Sequence, residues 1–231
     1  MTAPKAILWD IDGTMLRAWG AGVTCFTEAL STVTGLPFPT GALDMGGRTD
    51  SDIARRLLVA ADVPGDHDEI ADRLLAEVIS VYTAREAEFA ARTTVLDGVA
   101  EALTAFDGHP VVQTVVTGNV QPVARMKVTA ADVHHHLRLD LGGFGSDHLI
   151  RSELVRTSCR RIADRVGPVA PEHTWIIGDT PRDLDSARAA GVRCILVATG
   201  TFAIDRLDGL GADDVLPDLT DLDRLLDLIL G

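Results

Sequence analysis

The feature that most constrains the fold is the alternation of short apolar runs with helical segments. The runs with the length and composition of buried strands are Ala6–Ile11, Val111–Thr117, Leu139–Phe144, Thr174–Gly178, Arg193–Ala198 and a short Asp214–Leu216. The helical patterns around them cover Val99–Phe106, Val120–Ala131, Ser152–Val166, Pro181–Ala190 and a C-terminal Leu219–Leu230. Strands that alternate with helices in this way predict a parallel sheet.

One long segment, from about Arg17 to Arg92, interrupts this alternation and contains no convincing apolar strand. Helical spacing of Ala, Leu, Glu and Arg predicts helices at Gly22–Thr34, Asp50–Ala61 and His67–Arg92. A structureless loop of this length is implausible inside a compact domain, so the segment is interpreted as an inserted helical module. The predicted division is 1–16 plus 93–231 for an α/β core and 17–92 for a helical cap.

Charge and composition argue against several classes of partner. The chain has 231 residues and a formal net charge of −13, which disfavours nucleic acid and anionic membranes as partners. No segment approaches the ~20 apolar residues of a membrane span, so we expect a cytoplasmic protein. We also expect it to be a monomer or a homodimer. Cys25, Cys159 and Cys194 are scattered and odd in number, which favours reduced, buried thiols over disulfides.

Two carboxylates follow the first strand directly, because Ala6-Ile7-Leu8-Trp9 ends in Asp10-Ile11-Asp12-Gly13-Thr14. Open α/β folds bind ligands at the carboxyl ends of their strands, and in an extended chain Asp10 and Asp12 point to the same side. One carboxylate could attack a phosphorus atom while the other handles the proton of the leaving group. The alternative for this segment alone is a strand-end turn with solvated acids.

Two further strands end in residues that suit a phosphate site. Thr117-Gly118-Asn119 offers a hydroxyl and backbone N–H groups at a strand-to-helix junction, although a simple helix start is the alternative. Gly178-Asp179 ends another strand, and Asp179 and Asp183, four residues apart, could converge on one hard cation such as Mg²⁺. The alternative there is an ordinary helix N-cap.

In their order and spacing these segments resemble the haloacid dehalogenase-like hydrolase superfamily, and more narrowly its phosphoglycolate phosphatase-like members. The first motif is matched by Asp10, Asp12, Gly13 and Thr14, the second by Thr117-Gly118-Asn119, and the fourth by Gly178-Asp179-Thr180 with Asp183. The resemblance covers nearly the whole chain. It implies an α/β fold with a three-layer, doubly wound parallel sheet, a Rossmann-like core with right-handed crossovers, and an inserted all-helical cap.

The third motif of the family is matched less closely. The family places a lysine or arginine before the helix that leads to the fourth motif, and lysine is absent there. Arg151 is the best candidate by position and Arg156 is the second, with an ordinary arginine on the helix surface as the alternative for each. Lys127 lies inside the helix after the second motif and is interpreted as structural.

Two other segments carry possible ligand-binding residues. Gly46-Gly47-Arg48-Thr49-Asp50 resembles the turn that leans over the active site in related phosphatases, so Arg48 could bind an anionic group of the substrate. The alternative is a glycine turn in which Thr49 or Asp50 caps the next helix. The run His134-His135-His136 is interpreted as a solvated helix end and not as a metal site.

The resemblance implies a Mg²⁺-dependent phosphatase that acts on a small phosphorylated metabolite. Asp10 would attack phosphorus and form an aspartyl-phosphate, and Asp12 would protonate the leaving alkoxide and later activate water. The ligands implied for Mg²⁺ are Asp10, Asp179 and the main-chain carbonyl of Asp12, and Asp183 would either ligate the metal or orient its waters. Arg151 and Thr117 would neutralise and hold the transferring group. The remaining residues implied to bind phosphate are Gly13, Thr14, Gly118 and Asn119.

Several other functions remain open on this scaffold. A haloacid dehalogenase would lack the second acid of the first motif, so Asp12 disfavours that reaction. A β-phosphoglucomutase-like enzyme would keep Asp12 and return the phosphoryl group to a sugar phosphate, and the sequence does not separate it from a phosphatase. A catalytically silent protein that binds a phosphometabolite is disfavoured by the intact acids Asp10, Asp12, Asp179 and Asp183.

Overall fold

The computed structural model describes residues 4–39 and 44–231 of the chain. The strands in these ranges are β1 (Lys5–Trp9), β2 (Leu16–Ala18), β3 (Thr93–Val95), β4 (Val111–Thr117), β5 (Gly143–Phe144), β6 (Thr174–Gly178), β7 (Arg193–Val197) and β8 (Asp214–Leu216). A six-stranded sheet has the order β5-β4-β1-β6-β7-β8, and all of its neighbouring strands pair in parallel.

The helices in the same ranges surround this sheet and build the cap. They are α1 (Ala21–Thr34), α2 (Asp50–Ala60), α3 (His67–Ala84), α4 (Glu86–Ala91), α5 (Val99–Asp107), α6 (Gln121–Ala130), α7 (Arg151–Arg165), α8 (Pro181–Ala190), α9 (Ile204–Asp208) and α10 (Leu222–Leu230). Short 3₁₀ turns lie at His134–His136, Leu139–Leu141 and Pro171–His173.

Helices cover both faces of the sheet. Successive side chains of β1 point to opposite sides, so neighbouring residues of this strand pack against different helices. Ile7 and Trp9 join an apolar cluster with side chains of α5, α6 and α10. Ala6 and Leu8 join a second cluster with side chains of α7 and α8. The predicted three-layer, doubly wound α/β fold is therefore confirmed.

The inserted segment has an apolar core of its own, formed among α1, α2, α3 and α4. Val120 and Val123, at the start of α6, extend this cluster to the α/β core. The insertion is joined to the core through an antiparallel ribbon in which Leu16 of β2 pairs with Val95 of β3. The prediction that no strand lies in the segment from Arg17 was wrong, and the predicted boundary at 16/17 falls inside β2. Strands of three residues are too short to show an alternating pattern.

Two predicted elements differ from the structure. The predicted strand Leu139–Phe144 is a 3₁₀ turn followed by the two residues of β5. A Cβ on Gly143 would overlap the carbonyl group of Leu154, so α7 packs directly against backbone that has no side chain. The predicted helix His67–Arg92 is interrupted at Arg85, whose φ of −114° and ψ of 17° separate α3 from α4.

The sequence predicts that the cysteines are reduced and buried and that the histidine run is solvated. Cys25 and Cys194 are free and buried, whereas free Cys159 is only partly buried. His134 and His135 are exposed, and together with exposed Asp132 they place one ligand atom each within 4.8 Å of one another. The interpretation of this run as solvated therefore stays a prediction. Across 4–39 and 44–231, none of the helices combines the length and the apolar character that crossing a membrane requires.

Candidate active site

The sequence-predicted site residues meet at one edge of the sheet. Because β1 lies between β4 and β6, Asp10, Thr117 and Asp179 stand at the carboxyl ends of three neighbouring strands. Gly13 turns the chain away just after the first motif with a φ of 88°, a conformation that favours glycine. A Cβ on Gly13 would also overlap the Asp179 carboxylate. Thr14 donates a hydrogen bond from Oγ1 to Asp179 Oδ1 over 3.3 Å.

Three buried carboxylates form a cluster that suits a hard cation. Asp10, Asp179 and Asp183 are 5%, 3% and 2% exposed, and each places an oxygen within 4.8 Å of the others. Burial raises the pKa of Asp10, and the Arg151 charge opposes that rise. Burial, followed by the charges of Asp10 and Asp183, raises the pKa of Asp179. Oxygen ligands in this number, with positions left for water and substrate, fit Mg²⁺.

Arg151 joins two of these acids. Its Nη2 lies 2.6 Å from Asp10 Oδ1 and 2.6 Å from Asp183 Oδ1. Burial by itself would lower the pKa of Arg151. The charges of Asp183 and Asp10 together outweigh burial and raise the pKa, so the guanidinium stays protonated. The other candidate, Arg156, is exposed at the surface and donates to Glu153 and to a main-chain carbonyl of α8. The structure thus brings Arg151 to the acids and leaves Arg156 outside.

Asp183 also fixes the start of α8. Its Oδ2 accepts hydrogen bonds from the backbone N–H of Thr180 over 3.0 Å and from the Thr180 hydroxyl over 2.7 Å. The capping interaction that was considered as the alternative to a cation site is therefore present. It occupies Oδ2, while Oδ1 faces Arg151, so one carboxylate serves both the helix terminus and the acid cluster.

Asp12 has a partner that the sequence interpretation missed. Lys127 Nζ lies 2.5 Å from Asp12 Oδ2, a contact that the interpretation of Lys127 as structural did not include. Lysine is rarely buried without a partner, and Lys127 is only 5% exposed. It lies on the same helical face as buried Val123 and Ala124, and this position on the apolar face was the signal that could have revealed its role.

The second motif is held in place by the cap. The backbone N–H of Asn119 donates to Thr117 Oγ1 over 3.2 Å, while the Gly118 carbonyl accepts from the N–H of Asp50 over 2.7 Å. The Asp50 carboxylate in turn accepts from the N–H of Val120 over 2.8 Å. Glycine is required at 118, since a Cβ there would overlap the carbonyl oxygen of Arg48. These contacts tie the N-terminus of α2 to the loop after β4.

Arg48 lies at the same junction and lines the cavity above the acids. Its Nη1 is 2.9 Å from Asp52 Oδ2, and its Nε donates to the main-chain carbonyl of Asp44 over 2.7 Å. Thr49 caps α2 by accepting from the N–H of Asp52, which is the capping arrangement considered as the alternative for this turn. The charge of Arg48 is already balanced by acids in the cap.

A cavity of about 720 Å³ extends from the acid cluster into the cap. Its floor includes Asp10, Thr117 and Asp179, and the loop after β7 closes one side. Gly200 in that loop packs against Asp179 so closely that a Cβ would overlap the carboxylate. Nothing in the sequence marks this loop, because a glycine after a strand carries no chemical signature. A cavity of this volume suits a small-molecule ligand.

Comparisons with known proteins bear on the family of the chain. The sequence model of the family described as "Haloacid dehalogenase-like hydrolase" matches residues 7–197. The tyrosine-protein kinase PtkA of Mycobacterium tuberculosis is 25% identical over 211 residues, which are 89% of this chain and 66% of the relative. The chain thus spans slightly less than two thirds of that protein. Phosphoglycolate phosphatase 1 of Pseudomonas aeruginosa is 24% identical over 235 residues, covering 93% of this chain and 84% of the relative.

A solved structure shows the same fold. A hydrolase from Pseudomonas syringae superposes with a TM-score of 0.69 at 21% identity, covering 97% of this chain and 99% of the other. The likeness extends over core and cap together. With the family match spanning most of the sequence, the chain belongs to the haloacid dehalogenase-like hydrolases.

Proposed function

We propose that the protein is a Mg²⁺-dependent phosphatase that hydrolyses a small phosphate monoester through an aspartyl-phosphate. The observation that carries the proposal is the position of Arg151, whose guanidinium joins Asp10 and Asp183 beside Asp179. That arrangement supports a carboxylate nucleophile next to fixed positive charge, at the floor of a cavity large enough for a metabolite. Relatives named phosphoglycolate phosphatase support the same reaction class.

The donor set fits the metal that the family implies. Asp10, Asp179 and Asp183 would hold Mg²⁺, with the main-chain carbonyl of Asp12 as a further proposed ligand. Bound Mg²⁺ would supply positive charge that offsets the repulsion between the Asp10 carboxylate and a phosphate dianion.

The residues of the chain would then divide the chemistry between two half-reactions. In the first, an Asp10 oxygen forms a bond to phosphorus while the bond from phosphorus to the leaving oxygen breaks, and Asp12 gives that oxygen a proton. In the second, Asp12 takes a proton from water, the water oxygen bonds to phosphorus, and the Asp10 carboxylate leaves. Arg151 and the Thr117 loop hold the phosphoryl oxygens throughout. Gly13, Thr14, Gly118 and Asn119 shape the phosphate site.

The cap contacts support this scheme by restricting water. The α2 terminus is bonded to the loop after β4 through Asp50, and Ser51 donates to the Gly145 carbonyl over 2.7 Å. A cap in this position encloses the acids and keeps bulk water from the acyl-phosphate. A cytoplasmic location and a monomeric or homodimeric state are further parts of the proposal.

The experiment that tests the proposal measures inorganic phosphate release from p-nitrophenyl phosphate and a panel of phosphometabolites. The expected result is release that requires Mg²⁺, is lost on chelation and is absent in Asp10→Asn. Asp205→Asn, an exposed acid on α9, makes the same chemical change elsewhere and should keep full activity. Activity that persists after the metal is removed, or that survives Asp10→Asn, would contradict the proposal. Formation of a phosphorylated isomer without phosphate release would instead identify a phosphomutase.

A further inference from the structure

The cap end of the cavity is apolar, in contrast to its acidic floor. Phe26 of α1, Ile53 of α2, Val78 of α3 and Val123 of α6 line this end, and all of them are buried. A phosphate ester placed with its phosphorus at Asp10 would project its leaving group into this region. Apolar walls favour a leaving group with apolar surface and penalise a charge that finds no partner.

The cations around the cavity leave little charge for a second anionic group. Those with carboxylate partners are Arg48 with Asp52, Lys127 with Asp12, Arg151 with Asp10 and Asp183, and Arg182 with Asp44. Arg17 is the exception within the described residues; it lines the cavity, donates to the Thr199 carbonyl and lies 5.4 Å from the centroid of the Trp19 ring. Residues 1–3 and 40–43, outside the described part, include no Lys, Arg or His.

One polar group in the cap end has no hydrogen-bond partner among the described residues. Tyr82 of α3 lines the cavity and is 2% exposed, yet its hydroxyl makes no hydrogen bond to any described residue. Buried hydroxyl groups are nearly always hydrogen-bonded, and an unmet one is costly. Burial raises the pKa of Tyr82, so the phenol is neutral and keeps its proton.

We propose that the substrate is a phosphate monoester of an uncharged, largely apolar alcohol or phenol that accepts a hydrogen bond from Tyr82. This inference rests on the proposed function and narrows its substrate class. It sets the chain apart from an enzyme for phosphoglycolate, whose leaving group, glycolate, carries a carboxylate. The acid cluster would bind the phosphate end, and the apolar wall with Tyr82 would select the other end.

The test uses phenyl phosphates with three different para substituents. An acetyl group is neutral and accepts a hydrogen bond, an isopropyl group has a similar shape without an acceptor, and a carboxylate has the shape and a negative charge. Binding to the Asp10→Asn protein in Mg²⁺ is measured by calorimetry, so that the result does not depend on turnover. We expect the acetyl ester to bind most tightly and the carboxylate ester at least about 10-fold more weakly, because a charge would be desolvated without a partner.

Tyr82→Phe, made in the same background, isolates the hydroxyl. Because that hydroxyl makes no hydrogen bond within the described protein, the variant should fold normally. We expect it to weaken binding of the acetyl ester about 3- to 10-fold, the effect of one net hydrogen bond. Binding of the isopropyl ester should be unchanged. An equal effect on both esters, or none on either, would overturn the role of Tyr82.

Two outcomes separate this inference from the proposed function. If the native protein hydrolyses these esters but the carboxylate ester binds as tightly as the acetyl ester or more so, the inference is overturned and the phosphatase stands. If the carboxylate ester binds more tightly than the acetyl ester and Arg17→Gln removes that difference, Arg17 is an anion-binding residue. That outcome would also overturn the inference. If no ester is hydrolysed while the binding order holds, the proposed function fails and the binding preference is supported.

Discussion

Lys127 and Asp12 form a partly buried ion pair between α6 and the first motif, with Nζ 2.5 Å from Oδ2. The lysine is 5% exposed, whereas the Asp12 side chain is 41% exposed. The acid that handles the proton in the proposed reaction is therefore held from one side and open on the other. Such a contact would hold the carboxylate in one position for the proton transfer of the proposed reaction.

Lys127→Met should therefore damage catalysis more than substrate binding. We expect kcat for an alkyl phosphate to fall about 10-fold or more, since proton transfer contributes about 10²–10⁴-fold and depends on geometry. For p-nitrophenyl phosphate the loss should be smaller, because nitrophenolate leaves without needing a proton. The measurement is kcat and KM for both esters in parallel.

Two variants serve as controls for this prediction. Lys127→Arg keeps the charge and should retain most of the activity on both esters. Arg125→Met removes an exposed cation from the same helix and should change neither value. Equal losses on the alkyl and the nitrophenyl ester would show that Lys127 acts on something other than the proton step.

Arg151→Met should destabilise the protein as well as inactivate it. The substitution leaves the buried carboxylates of Asp10 and Asp183 without their counter-charge, and breaking a buried ion pair typically costs about 3–5 kcal/mol. We expect the free energy of unfolding in chelator to fall by about 3 kcal/mol and activity to fall at least ~100-fold. Denaturant unfolding and phosphate release measure the two effects. Arg156→Met, at the helix surface, should change stability by less than ~0.5 kcal/mol. Similar effects of both variants would contradict the assignment of Arg151.

Magnesium should stabilise the folded protein through Asp183. A ligand at 100 times its Kd stabilises by about 2.7 kcal/mol, which for a chain of this length is about 5–10 °C in Tm. We expect Asp183→Asn to lose most of this shift, whatever its effect on the baseline stability. Asp185→Asn removes an exposed acid from the same helix and should keep the shift. Thermal scans with and without Mg²⁺ decide the point, and an unchanged shift in Asp183→Asn would remove that residue from the metal site.

The sequence predicted the parts of the site that are encoded locally. Asp10, Thr117 and Asp179 each follow or end an apolar strand, and parallel topology alone brings such positions to one edge. The sheet order placed these three strands side by side, so motifs that were each ambiguous became one cluster. Arg151 was predicted by its place before the fourth motif, and the structure brings its guanidinium to Asp10.

The contacts that sequence did not predict are those between distant parts of the chain. Lys127 and Asp12 are separated by 115 positions, and neither has a local pattern that names the other. The pairing of β2 with β3 joins residues on the two sides of the cap, and three residues are too few to show an alternation. Nothing in the sequence singles out Tyr82, because an unmet hydroxyl is visible only when its neighbours are known.

Asp50 should make the stability of the cap junction depend on pH. Burial raises the pKa of Asp50 from 3.8 to about 6, although the hydrogen bond from Val120 opposes this. Because the folded-state value is raised, the contribution of the protonated acid is fully present below pH 3.8 and is lost as pH rises through about 6. At ~1.4 kcal/mol per pH unit, the change between these limits is about 3 kcal/mol.

Asp50→Asn removes the titration and keeps an acceptor for the N–H of Val120. Relative to the native protein, the variant should gain up to about 3 kcal/mol of unfolding free energy between pH 4 and pH 8. Denaturant unfolding of both proteins across this range measures the difference, which is independent of any constant cost of the new amide group. Asp72→Asn, an exposed acid of α3, should follow the native curve throughout. If the difference between native and Asp50→Asn stays flat from pH 4 to pH 8, Asp50 is already ionised at pH 4, and the N–H of Val120 outweighs burial.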